Sequence, residues 1–308
     1  MSQYVAICRL YALQKALIDL RDRGLKAYYA LKNKLGKLFR ANLGITLHLF
    51  NSCIKPILLY ASDFWGCLKL PKPNPIETMY LRFCKDALGV QIRTVNTGAL
   101  LELGQIPLYI YGKKNCIKNW DRICRKGSAN DLLVKSCRND LENDWNFSVK
   151  KYLSNLDLTF PDTPDPHEQA PSVQVYNRER GIFQEALNEN LRNTSKLKTL
   201  SILKNDFACE NYLLSVPNIA NRTALTKFRL SNHNLMIEKG RYENMQLCDR
   251  SCPFCPDQIE DEFHFLIKCP IYTELRTKML ENIKDIVYGF YYPTDENFLF
   301  WFLLNSYS

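Results

Sequence analysis

The stretch "CPFCPDQIEDEFHFLIKC" spans residues 252–269. It places Cys252 and Cys255 on either side of a Pro-Phe pair, with His264 and Cys269 following. A Zn²⁺ ion takes four nitrogen or sulfur donors in a tetrahedron, and thiolates with a neutral imidazole meet that demand. A Cys-x-x-Cys step lets one tight turn aim two sulfurs at one point, and Pro253 and Pro256 suit such a turn. If residues 261–268 form a short helix, His264 and Cys269 face the same point, and Pro270 ends the helix. Four protein ligands leave no open position for a catalytic water. The expectation is therefore a structural Zn²⁺ held by Cys252, Cys255, His264 and Cys269. Cys248 lies four residues before Cys252 and is spaced to replace one ligand. The competing reading is a set of ordinary buried thiols beside a core histidine.

Working outward, the 308 residues hold one large domain or two ordinary ones, and 46% hydrophobic content is enough to build cores. The 12 cysteines scatter from Cys8 to Cys269 and do not form the dense framework of a secreted disulfide scaffold. The start, "MSQYVAICRLYALQK", breaks its apolar run at Arg9 and lacks a small-residue cleavage site. These features predict a reducing, intracellular compartment, nucleus or cytoplasm, with mostly free thiols. No membrane span is expected. "NFLFWFLL" (297–304) falls far short of the roughly 20 residues that cross a bilayer. The longer run at 45–67 is interrupted by His48, Asn51, Lys55, Pro56 and Asp63.

The net charge of +9 is local. Residues 1–60 carry ten Lys or Arg against Asp19 and Asp22, a net of +8. Read as one helix, residues 9–40 place Leu10, Leu13, Leu17, Leu20, Ala27/Tyr28, Leu31, Leu35 and Leu38 in one apolar stripe. At about 100° per residue, Lys15, Arg23, Lys26, Lys34, Lys37 and Arg40 land on the opposite face. Gly24 and Gly36 weaken this helix and bend or end it. A face this poor in acids is a candidate phosphate contact; the alternative is a solvated surface.

Helical periodicity continues at about 45–66, with a kink at Pro56, and at 75–90, 107–125 and 128–142. "NTGALLELGQIP" reads as a short helix closed by Gly104 and Pro107. "FPDTPDPHEQAP" (160–171) is too rich in proline to continue a helix. A Pro-rich linker is therefore placed at 160–172, between a helical part at 1–159 and a second at 173–308. In the second part, 173–193, 197–230 and 270–288 read as helices, followed by a short apolar terminal helix. The expected fold class is mostly α, in two helical parts, the second carrying the small zinc motif at 252–269.

The residues from Arg229 through "LR" at 275–276 resemble the C-terminal zinc-binding segment of non-LTR (LINE-type) retrotransposon reverse transcriptases. The matching features are Arg229, His233, Gly240-Arg241-Tyr242, the Cys-x-x-Cys, "EDEFHFL" and "CPIY". Upstream, "KAYYALKNKLG" and "IKPILLYASDFWG" are similar to the thumb-like region that follows the polymerase palm in those proteins. The resemblance implies a nucleic-acid-binding C-terminal part of such an enzyme, with RNA or DNA as partner and the fingers and palm upstream of Met1. It does not carry over catalysis. Two-metal phosphoryl transfer in that family needs paired aspartates, and no Asp-Asp pair occurs in this sequence. There is also no Gly-rich phosphate loop and no Gly-x-Ser-x-Gly, so neither an enzyme nor a small-molecule substrate is expected. The alternative function is a zinc-stabilised module that binds another protein. In the zinc segment the acidic loop repels phosphate, which leaves Arg229, Arg241, Arg250, Tyr242 and Phe254 as its candidate contacts.

Overall fold

The computed structural model describes residues 2–128, 131–132, 134–135, 145–161, 167–204, 206–286, 291 and 293–305, with side chains from residue 11 onward. It is mostly helical, and the sheet among the described residues is one two-stranded hairpin. Contacts group the chain into two compact units, Met1–Cys84 with Gln105–Asn188, and Lys85–Gly104 with Glu189–Ser308. Of the Pro-rich segment, 162–166 lie outside the described residues, as does most of the helix expected at 128–142. Pro171 opens the helix Pro171–Asn193, a place where its missing N–H costs nothing.

The first unit begins with the helix Ser2–Leu35. Leu17, Leu20 and Tyr28 of the apolar stripe are buried. Leu38 was expected to join them but is 66% exposed. Gly36 ends the first helix at φ +51°, and Leu38 belongs to the separate turn Leu38–Ala41 on the far side of that break. The helical phase is lost there, so the stripe does not extend to Leu38. Asn42 caps the next helix, Leu43–Leu49, its side-chain oxygen accepting from the Ile45 N–H at 3.0 Å.

The kink expected at Pro56 takes the form of a π-turn, Phe50–Ile54, running into Lys55–Leu58. Pro56 has no N–H to give the carbonyl four residues back, and the π-turn immediately before it re-registers the ladder, with Lys55 N–H bonded to Phe50 O. Phe50 stacks on Phe83 at 3.8 Å, while Tyr28 and Phe39 meet the same ring edge-on at 6.1 and 6.4 Å. Edge-to-face and offset pairs of this kind are the favoured aromatic geometries. They pin the basic helix to the elements after it. A second core in this unit gathers Cys116, Ile117, Trp120, Val149, Leu153 and Val175 around the helices Leu108–Trp120 and Trp145–Ser154.

In the second unit the single helix expected over 197–230 is broken into Lys198–Leu203, Tyr212–Ser215 and Ile219–Arg229. Pro217 cannot continue a helix, and Asn218 starts a new one by accepting from the N–H groups of Ala220 and Asn221. Leu203, Ile267, Leu280, Leu299, Phe300 and Leu304 form this unit's apolar core. Beside it lies a polar core. Arg229, fully buried, donates to Glu102, Glu210 and the carbonyl of Leu304, and the Tyr212 hydroxyl donates to Glu102. No helix of the described residues is long and apolar enough to cross a membrane.

Candidate metal centre

The expected four ligands come together. The sulfurs of Cys252, Cys255 and Cys269 and a ring nitrogen of His264 lie within 4.8 Å of one another. Three local devices place them. The strands β1, Ser251–Cys252, and β2, Cys255–Ile259, pair antiparallel with Cys252 opposite Cys255. Pro253 and Phe254 form the turn between them, so the two thiols leave the hairpin on one side. His264 opens the π-turn His264–Lys268, and the Cys269 N–H closes it on the His264 carbonyl at 2.7 Å. A five-residue step spans one such π-turn, which brings the imidazole and the Cys269 sulfur to the same side. Cys269 itself is extended, and Pro270 follows it into a single 3₁₀ turn.

The donor set fits a tetrahedral ion. Zinc–thiolate bonds of about 2.3 Å separate two sulfurs by about 3.8 Å, and Cys252 Sγ and Cys269 Sγ stand 3.9 Å apart. His264 is buried, and neither Nδ1 nor Nε2 has a hydrogen-bond partner. A buried imidazole with no partner is costly unless something else takes its lone pair. Desolvation, followed by the neighbouring thiols of Cys269 and Cys252, holds the Cys255 thiol up at about 11. Three sulfurs this close cannot share negative charge without a cation among them. Cys248 is exposed, and its sulfur lies 3.7 Å from Asp249 Oδ1. It is not in the cluster.

The surrounding residues hold the ligands in place. The Asp261 side chain accepts from the His264 N–H at 2.8 Å, and Arg276 donates to the carbonyls of Cys269 and Leu266. His233 Nε2 meets Glu262 at 2.9 Å. The Leu235 N–H points at His233 Nδ1, which makes Nε2 the protonated nitrogen. Ser231 donates to the same carboxylate. Arg250 threads past Gly240 to the carbonyls of Ile237 and Met245; a Cβ at position 240 would lie 2.6 Å from its side chain.

Two candidate phosphate contacts of this segment are thereby corrected. Arg229 is fully buried in the polar core, and Arg250 is committed to backbone carbonyls. In both cases the guanidinium donors are occupied inside the fold, by carboxylates and a carbonyl at Arg229 and by two backbone carbonyls at Arg250. Arg241 bonds Ser195 and Glu238, while Tyr242 and Phe254 are exposed.

In the first unit, Lys15, Arg23, Lys26, Lys34 and Lys37 are exposed and Arg40 is half-buried. Arg23 pairs with Asp19 at 2.8 Å, one turn away on the same helix. The ten cysteines whose side chains are described are free thiols. Comparison with models of protein families, with curated proteins and with solved structures finds no match to this chain.

Proposed function

We propose that this chain is the nucleic-acid-binding C-terminal part of a LINE-type reverse transcriptase, without polymerase chemistry of its own, and that its Cys₃His cluster holds a structural Zn²⁺. The observation that carries the binding reading is the exposed cationic face of Ser2–Leu35 and the turn after it. Lys15, Lys26 and Lys34 of that helix and Lys37 beyond the break at Gly36 are exposed, while Leu17, Leu20 and Tyr28 are buried. Zinc is the assignment because three soft thiolates and one imidazole in a closed tetrahedral set select it over hard, oxygen-seeking cations. The ion would be held by Cys252, Cys255, His264 and Cys269 and would lock the hairpin against the π-turn; four protein ligands leave it no catalytic position.

A salt titration of oligonucleotide binding tests the reading. Each phosphate neutralised contributes a slope of roughly −0.9 for duplex DNA or −0.7 for a single strand in log K against log salt. Three to five engaged cations give about −3 to −4.5 on a duplex. Changing Lys26 and Lys34 to Gln together is expected to flatten that slope by about 1–2 and to weaken all sequences alike. A wild-type chain that binds no nucleic acid in low salt overturns the proposal and favours the protein-binding alternative. Primer extension on an RNA template with Mg²⁺ or Mn²⁺ is expected to give no product, because the sequence offers no Asp-Asp pair to hold two metals.

A further inference from the structure

We propose that Lys55 and Lys114 form a second phosphate-binding node, which takes the backbone phosphates of a nucleic-acid strand away from the basic helix face. The inference rests on the nucleic-acid reading above and assigns that reading a further contact site.

Three elements of the first unit build the node. Lys55 comes from Lys55–Leu58, Tyr111 and Lys114 from Leu108–Trp120, and Tyr176 and Arg180 from Pro171–Asn193. The Lys55 ammonium lies 3.1 Å above the centre of the Tyr111 ring, and that of Lys114 lies 4.7 Å above Tyr176. The two rings are themselves 5.8 Å apart. Both lysines are half-buried, and among the described residues neither is paired with a carboxylate. The acid nearest in sequence to this cluster, Glu179, is taken by Lys113 and the Tyr152 hydroxyl, each at 2.6 Å.

An aromatic face holds an ammonium in place through its quadrupole but does not neutralise it. The ring therefore leaves each ammonium its charge at neutral pH, and the N–H bonds turned away from the ring remain as donors. Two such charges fixed side by side without an acid raise the local potential. They are a poor arrangement for stability alone and a good one for an anion that bridges them. A phosphodiester supplies one negative charge and two free oxygens, which suits a pair of point-charge donors.

The protonation state of Lys55 provides a readout that a purely structural role would not move. Burial, then the charge of Lys114, lowers its pKa to about 8. Beside it are the Tyr111 ring and Lys114 on one helix, and next to Tyr111 stand Tyr176 and Arg180 on another. Asp19 and Asp22 of Ser2–Leu35 pair with Arg23 and Arg21 instead. Burial, then Tyr176, holds the Tyr111 phenol up at about 12, so it stays neutral while Lys55 titrates. A bound phosphate favours the ammonium, so binding takes up a proton near pH 8 and weakens as pH rises through that value.

The experiment measures binding of a fluorescent single-stranded 20-mer to the full chain, as a function of salt at pH 7 and pH 9. Lys55→Met and Lys114→Met keep most of the aliphatic stem while removing the charge. Each is expected to flatten the log K–log salt slope by roughly 0.7, and the pair by roughly twice that. Wild type is expected to lose affinity between pH 7 and pH 9 by more than Lys55→Met does. Lys55→Arg, charged throughout that range, is expected to keep the pH 7 affinity and lose the extra pH dependence; it also carries the test if Lys55→Met fails to fold. Unchanged slopes in both Met variants, with the Lys26/Lys34 double variant still flattened, overturn the node and leave the proposed function standing. A wild-type chain that does not bind the 20-mer at all removes the proposed function and the node together. Sodium tripolyphosphate serves as the competitor. If it displaces the 20-mer no better than sulfate of equal ionic strength, the extended backbone is the ligand. Stoichiometric tripolyphosphate binding that Lys55→Met abolishes, with no effect of that change on the 20-mer, overturns the backbone assignment.

Discussion

Arg229 Nε donates to Glu102 Oε1 across 2.7 Å, and neither side chain exposes any surface. The remaining guanidinium donors reach Glu210 at 2.7 Å and the Leu304 carbonyl at 2.9 Å. One cation therefore ties the segment Lys85–Gly104 to two later stretches of the same unit. Removing one partner so that a buried charge is left unpaired typically costs about 3–5 kcal/mol. Arg229→Met, which leaves Glu102 without its cation, is expected to fall in that range by chemical denaturation, and Glu102→Leu, which leaves Arg229 paired with Glu210, to cost less. The double variant is expected to lose clearly less than the sum, because no unpaired charge is left between these two positions. Additive losses would show that the pair does not act as a unit.

Glu77 offers a pH signature in the first unit. Its carboxylate accepts from the Tyr109 N–H at the start of the helix Leu108–Trp120, whose own cap, Pro107, supplies no side-chain acceptor. Burial pushes its pKa up from 4.5 to about 7, opposed by the backbone amides of Tyr109 and Leu108. Between those two values the folded chain holds a proton that the unfolded chain has lost. Stability contributed by this group is thus full below pH 4.5 and declines as pH rises to about 7. At about 1.4 kcal/mol per unit, the total is about 3 kcal/mol at most. The unfolding free energy of wild type minus that of Glu77→Gln is expected to drop by about 2–3 kcal/mol across that window. Parallel pH curves for the two proteins would rule the assignment out.

The metal centre makes a separate prediction. The purified chain is expected to carry one zinc, to lose it with Cys252→Ser, His264→Ala or Cys269→Ser, and to keep it with Cys248→Ser. Replacing zinc by Co²⁺ is expected to give the intense visible absorption and thiolate charge-transfer bands of a tetrahedral sulfur-rich site. Chelation is expected to lower the melting temperature of the wild type and leave Cys252→Ser unmoved, since binding energy here is folding energy. Loss of metal on Cys248→Ser alone would reassign the ligands.

How much of this was legible in the sequence follows from the distance over which each feature is encoded. The metal donors sit within one 18-residue window, and their geometry depends on a hairpin turn and a single π-turn, both short-range. The helices follow from periodicity, which is also local. The partnership of Glu102, Glu210 and Arg229 was not legible. Nothing in the sequence near Arg229 marks it as buried: Lys227, two residues before it, is half-buried, and Arg222 on the same helix is buried but reads as just another cation. Lys55 and Lys114 were equally invisible as a pair, because tertiary packing alone brings their two helices together. Pro217 and Asn218 are the exception. Their turn chemistry was present in the sequence and accounts for the break before Ile219, although periodicity alone reads 197–230 as one helix.

Gly24 and Gly36 read alike in the sequence, as two weak points of one helix, but their structural settings differ. Gly24 lies mid-helix, where an added Cβ would sit 2.5 Å from Leu58 Cδ2, and Leu58 has 0% exposure. Gly36 has φ +51° with nothing within 4 Å of an added Cβ, and its N–H bonds the Lys32 carbonyl at 2.9 Å to close the helix. An Ala in an exposed helix interior gains about 1 kcal/mol over Gly. At Gly24 that gain meets an overpacking penalty of about 1–3 kcal/mol, so Gly24→Ala is expected to be neutral to about 2 kcal/mol destabilising. At Gly36 the cost is the left-handed backbone itself, about 1–2 kcal/mol for Ala, with Asn tolerated better. Leu58→Ala separates the two mechanisms. It removes the atoms that Gly24→Ala would strike, so in that background Gly24→Ala is expected to become stabilising by up to about 1 kcal/mol. Gly36→Ala is expected to cost the same in both backgrounds, since no side chain faces it. Equal effects of Gly24→Ala with and without the Leu58 side chain would mean that the close approach of the two helices is not what requires glycine there.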